Sequence, residues 1–138
     1  MSNTATPAEL LSRSKTIALV GYSADPSRTS HRIARYLADA GFDVIPVNPK
    51  YQEAMGRTCY AKVSHIPADV QIDMVDIFRQ PRFVEGVVED IVARMEATGD
   101  RPVVWTQIGV HSQEAEKLAD QAGLPYVRNR CTMVEHVR

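Results

Sequence analysis

Short apolar runs alternate with stretches of helical spacing along this chain, and the runs hand over to loops of Gly, Pro, hydroxyl or cationic residues. Thr16-Ile17-Ala18-Leu19-Val20 is the first run, followed by Gly21 and then by Ser30 to Ala40, with Ile33, Leu37 and Ala40 on one helical face. Gly41 closes that helix and Asp43 to Val47 gives the next strand. Ile72 to Phe78, Pro102 to Gln107 and Leu124 to Val127 read as further strands, with helices over Pro81 to Thr98 and Ser112 to Ala122. A short leading helix spans Pro7 to Leu11, with Thr6 to cap it and Pro7 at its first position. Alternation of this kind predicts an α/β, Rossmann-like doubly wound fold, a mainly parallel five-stranded sheet with helices on both faces.

The long helix turns Val84, Val87, Val88, Ile91 and Met95 inward, and Glu85, Glu89, Asp90 and Arg94 are expected on its outer, solvated side. Residues 48 to 71 are less regular. Tyr51 to Met55 reads as one helical turn and Thr58 to Ala61 as a short extended piece. Pro46 removes a ladder donor from its strand, a loss that is bearable near the carboxyl end.

A length of 138 residues fits one domain over residues 1–138. A net charge of -1 excludes the basic excess typical of nucleic-acid binders, and no run reaches the roughly 20 apolar residues that span a bilayer. With no secretory signal pattern, a cytoplasmic protein is expected. Cys59 and Cys131 lie far apart, and no cysteine or histidine pair has metal-ligand spacing, so reduced, passive thiols and no metal site are expected.

In a doubly wound sheet the ligand crevice lies outside the carboxyl ends of the strands. The loops there are Gly21 to Ser30, Asn48-Pro49-Lys50, Arg79-Gln80-Pro81 and Ile108 to His111. The first can offer backbone N–H groups at a helix N-terminus, the hydroxyls of Ser23, Ser27, Thr29 and Ser30, and the Arg28 guanidinium, which together suit a phosphate. One of those hydroxyls is expected to cap the helix as well. A NAD-binding turn would carry G-x-G-x-x-G and an acidic residue after the second strand. Here Gly21 stands alone and Val47-Asn48-Pro49-Lys50 ends in a cation. That favours a nucleotide whose ribose is itself phosphorylated, coenzyme A or NADP. Hydride transfer needs a proton donor beside a substrate pocket, and only Tyr22 and His111 are placed for it.

Taken together, "TIALVGYSADPSRTSHRIARYL", "GFDVIPVNPK", "VDIFRQP", "VVWTQIGV" and "RNRC…EH" resemble the CoA-binding domain family. These are small stand-alone bacterial and archaeal proteins related to the N-terminal domain of the succinyl-CoA synthetase alpha subunit. The resemblance implies that Gly21, Ser23, Arg28 and Ser30 surround the phosphates of coenzyme A, with Tyr22 also at the cofactor, and that Val47, Asn48, Pro49 and Lys50 lie along the adenosine. Phe78 and Arg79 would border the adenine or pyrophosphate, and Ile108 and Gly109 would approach the pantetheine arm. Gln80 departs from the family, in which a second Arg often stands there. The related acyl-CoA synthetases use a phosphohistidine in a second domain and an ATP-grasp partner, for which this chain is too short.

The expected function is therefore binding of coenzyme A or an acyl-CoA as a small-molecule ligand, without catalytic machinery, nucleic acid or membrane; homo-oligomers are compatible with it. A small NADP-dependent oxidoreductase and a protein-interaction subunit with an unused crevice are the alternatives. Trp105 is expected in the core and Gln107 against loop backbone. Cys131 falls near the same sheet edge as the loops, where a thiol-bearing cofactor raises the idea of a mixed disulfide.

Overall fold

In the computed structural model, which describes residues 5–137, α1 (Pro7–Ser12) leads into β1 (Thr16–Val20), α2 (Thr29–Asp39) and β2 (Asp43–Val47). A hairpin of β3 (Glu53–Ala54) and β4 (Arg57–Thr58) and a 3-10 turn at Val63–His65 precede β5 (Met74–Ile77) and α3 (Pro81–Thr98). Then come β6 (Val103–Thr106), α4 (Gln113–Gln121), β7 (Tyr126–Val127) and α5 (Thr132–Val137). The strands follow the periodicity, though β5, β6 and β7 are shorter than their apolar runs.

The main sheet is five-stranded, in the order β2-β1-β5-β6-β7, and every pair is parallel. Counted within this sheet alone, the strand order reverses between β1 and β5, which is where a doubly wound sheet opens its crevice. Register makes that crevice level: Val20 pairs with Val47 and with Ile77, and Ile77 with Thr106, so the loops beyond them leave the sheet at one height.

Each face has its own apolar layer. Val20, Val47, Ile77 and Val104 pack beneath α3 and α4 with Val84, Val88 and Ile91. Ile17, Leu19, Met74 and Trp105 pack beneath α1, α2 and α5 with Leu11, Ile33 and Leu37. Each fully buried Leu or Ile contributes roughly 1.5–3 kcal/mol. Trp105 is in the core as expected, and its Nε1–H donates to the Arg130 carbonyl at 2.8 Å.

Several expectations are corrected. Tyr51 to Met55 is not a helical turn: Met55 and Gly56 both take positive φ (56° and 71°), the geometry of a two-residue hairpin turn joining β3 to β4. Ala40 is exposed at the end of α2, and Ala34 takes its place on the buried face. Arg94 does not face solvent. It is 3% exposed, and its Nε donates to Asp100 at 2.9 Å while its Nη atoms reach the carbonyls of Val63, Ile66, Pro67 and Val70. One guanidinium thus satisfies the irregular segment before β5.

The hairpin has a second role at the sheet edge. Tyr60 N–H donates to the Pro46 carbonyl, Asn48 N–H donates to the Tyr60 carbonyl, and Arg57 takes the Val44 carbonyl at 3.1 Å. The outward carbonyls of β2 at Val44 and Pro46 are therefore occupied, and Pro46 has no N–H to offer.

Candidate functional site

Beyond the carboxyl ends of β1, β2 and β5 lies a groove of about 740 Å³. From the first loop it takes Gly21, Tyr22, Ser23, Arg28 and Ser30; from the second, Asn48, Pro49 and Lys50; from the third, Phe78 and Arg79. Ser27, Thr29 and Gln80 line it too. Val47, Ile108 and Gly109 do not. Val47 belongs to an adjoining apolar recess of about 300 Å³ with Val20, Val63 and Val87, which shares Pro49, Arg79 and Phe83 with the groove. Ile108 and Gly109 line a further hollow of about 470 Å³ that shares Thr29, Phe78, Arg79 and Gln80 with the groove. The three spaces adjoin through these shared walls and together make up the trough.

Gly21 is required by close approach. Its φ is +89°, and a Cβ there would stand 2.5 Å from the Phe78 carbonyl oxygen. The first and third loops therefore touch backbone to backbone, leaving no room for a side chain.

The first loop is held from within. Asp25 accepts from Ser27 N–H at 3.0 Å and from its hydroxyl at 2.9 Å, and these bonds, the backbone one foremost, hold the Asp25 carboxyl below its ordinary range. His31 Nδ1 lies 3.0 Å from the Ser23 carbonyl, so that nitrogen carries the proton and donates. Tyr22 is buried, its hydroxyl 3.4 Å from the same nitrogen, and burial above all pushes its pKa up. Tyr51 steadies the loop from the other side, its hydroxyl accepting from Ala24 N–H at 3.1 Å.

Electrostatics of the groove are one-sided. Arg28, Lys50, Arg79 and Arg82 line it, and no Asp or Glu does among the described residues. Phe83 shapes the cations, with the Arg79 and Arg82 guanidinium carbons 4.5 and 4.7 Å from its ring centre. Arg28 is the N-cap residue of α2 and Gln80 that of α3, and neither makes a side-chain cap hydrogen bond. The hydroxyl cap expected for the helix after β1 is thus not made, and the leading N–H groups of α2 remain open to the groove. Such an array can hold phosphate oxygens by paired hydrogen bonds and charge.

At the far end, Gly109 N–H donates to Asn129 Oδ1 at 2.6 Å, with Asn129 itself at positive φ. His111 is not part of the groove; its Nδ1 lies 3.2 Å from the Tyr126 hydroxyl and its Nε2 3.8 Å from Glu116. Below the trough, Asp76 is wholly buried on the α2 side of the sheet, and burial drives its pKa up to about 8 against the pull of the Thr132 hydroxyl. The single Thr132 hydroxyl hydrogen cannot serve both Asp76 Oδ2 at 3.0 Å and Gln107 Oε1 at 3.1 Å. A protonated Asp76 resolves this by donating to Thr132, which then donates to Gln107.

Sequence reasoning did not single out Arg82, Phe83, Tyr51 or Asn129. Arg82 and Phe83 follow Arg79 by three and four residues at the entry to α3, and the two guanidinium groups meet on the Phe83 ring. Tyr51 lay in the segment misread as a helix.

The family model described as CoA binding domain matches residues 15–137. The chain belongs to that CoA binding domain family. A relative in Bacillus subtilis, YneT, is 38% identical over 128 residues, covering 93% of this chain and 90% of its own. A hypothetical protein from Pyrococcus horikoshii OT3 superposes with a TM-score of 0.87 at 42% identity, over 100% of this chain and 98% of that one. An ADP-forming acetate–CoA ligase of Archaeoglobus fulgidus is 33% identical over 123 residues; the match takes in 85% of this chain but 18% of the ligase. Members of the family thus match both small proteins of nearly this length and one portion of a much larger ligase.

Proposed function

We propose that the trough binds coenzyme A or an acyl-CoA, without chemistry of the protein's own at the phosphates. The observation that carries this reading is a groove lined by Arg28, Lys50, Arg79 and Arg82 with no carboxylate among the described residues. It runs on one side into an apolar recess and on another into a second hollow. The charge suits three phosphate groups, the recess beside Val47 and Phe83 suits an adenine, and the hollow at Ile108 and Gly109 suits the pantetheine arm. Membership of the family and the similarity to an acetate–CoA ligase support the choice of ligand. A hydride-transfer enzyme is less well served, since His111 faces Tyr126 and Glu116 and the Tyr22 hydroxyl faces His31. The same reading places the protein in the cytoplasm, with its ligand.

Calorimetric titration with coenzyme A, 3′-dephospho-CoA and NADP tests it. Loss of the charge-assisted 3′-phosphate contacts is expected to cost roughly 1.5–3 kcal/mol, about ten- to a hundredfold in affinity. Arg28→Gln and Lys50→Gln should each narrow that gap. Equal affinity for coenzyme A and its dephospho form overturns the placement of these cations. Preference for NADP returns the oxidoreductase reading, and failure of all ligands to bind returns the interaction subunit.

A further inference from the structure

The coenzyme A reading leaves Cys131 without a task. Cys131 is half-buried and lines the hollow that holds Ile108 and Gly109. Gln107 lines the same hollow and is 4% exposed. Its Oε1 takes the Thr132 N–H at 3.1 Å, which fixes the orientation of the amide and leaves Nε2 without a partner among the described residues. Asp76 Oδ1 is the fully buried polar side-chain atom left unpaired among those residues, so Gln107 Nε2 keeps an opening, and the hollow is where it opens. An unpaired amide donor in a nearly closed wall calls for an acceptor, and a pantetheine arm carries amide carbonyls. An arm lying along Gln107, Ile108 and Gly109 brings its terminal sulfur to the side of the hollow where Cys131 sits.

Resting on the coenzyme A reading, we propose that Cys131 is a thiol–disulfide exchange site for oxidised coenzyme A, the disulfide of two coenzyme A molecules. The Cys131 thiolate attacks one sulfur of that disulfide. A bond forms between Cys131 Sγ and the bound half, the original S–S bond breaks, and the other half leaves as a thiolate that takes up the proton Cys131 released. Cys131 is oxidised, the departing coenzyme A is reduced, and no other oxidant is needed. Cys59 serves as an internal control: it is buried, its Sγ is 3.5 Å from the Asn48 carbonyl, and burial pushes its thiol pKa up.

The test uses the reduced full chain, desalted and mixed with coenzyme A disulfide or with glutathione disulfide, followed by intact mass and peptide mapping. One coenzyme A is expected on Cys131, removable by dithiothreitol. It should form roughly tenfold or more faster than the glutathione adduct, because the groove concentrates and aligns the disulfide. Cys131→Ser should abolish the adduct, and a parallel titration of the unsubstituted chain reads the binding of reduced coenzyme A separately. Equal rates with both disulfides, or modification of Cys59 instead, with reduced coenzyme A still bound, overturn the exchange site and spare the binding reading. Equal rates with no binding of reduced coenzyme A overturn both.

Discussion

Asn48 Nδ2 donates to the Tyr22 carbonyl oxygen across 2.7 Å, and its Oδ1 accepts the Lys50 N–H at 2.9 Å. One side chain therefore ties the loop after β1 to the loop after β2 and folds the second loop so that Lys50 borders the groove.

Asn48→Ala is accordingly expected to weaken coenzyme A by about fivefold, the equivalent of about 1 kcal/mol for a lost hydrogen bond. Calorimetry measures the affinity and thermal unfolding the stability. Since Asn48 is only half-buried, the melting temperature should fall by a few degrees at most.

Gly21→Ala meets both a positive φ and the Phe78 carbonyl oxygen at 2.5 Å. Backbone has to move, and a loss of about 2 kcal/mol or more is expected in urea unfolding. Gly109→Ala is the comparison: its φ is +84° but nothing lies within 4 Å of the added carbon, so its cost should be the smaller.

Arg94→Ala removes one half of a buried ion pair and strands Asp100 together with the carbonyls of the segment before β5. The expected loss is about 3–5 kcal/mol by chemical denaturation. Arg94→Lys, with charge but no planar fork, should recover only part of it.

Asp76 should give the protein an unusual pH profile. Its folded-state pKa is raised to about 8 from an ordinary 3.8, so between these values the native chain keeps a proton the unfolded chain has released. Its contribution is full below the lower value and is lost as pH rises, at up to about 1.4 kcal/mol per pH unit, until the slope ends near the upper one. Urea unfolding from pH 5 to 9 measures this. Asp76→Asn, neutral at every pH, should flatten the curve and be the more stable protein at the alkaline end.

The strands and main helices were legible because each has a strong period, and so were the loops at the carboxyl edge, because a parallel alternating fold sends them there. What was not legible depended on contacts distant in the chain. Arg94 sits among outward-facing residues, and only Asp100 and the carbonyls near Pro67 draw it inward. Met55 takes a left-handed conformation that its side chain does not advertise. Helix α5 has 6 residues, too few to establish a period. Arg28 lines the groove, and its position at the uncapped N-terminus of α2 became visible only with the fold.

The pairing of Tyr60 and Arg57 with β2, together with Pro46, disarms the lateral margin that aggregating proteins use to recruit another strand. At the opposite margin β7 has 2 residues, too short a template for one. Copies of this molecule that meet in a crowded solution find little main-sheet strand edge through which to associate. Fibril growth by strand addition is closed to the folded state from both sides.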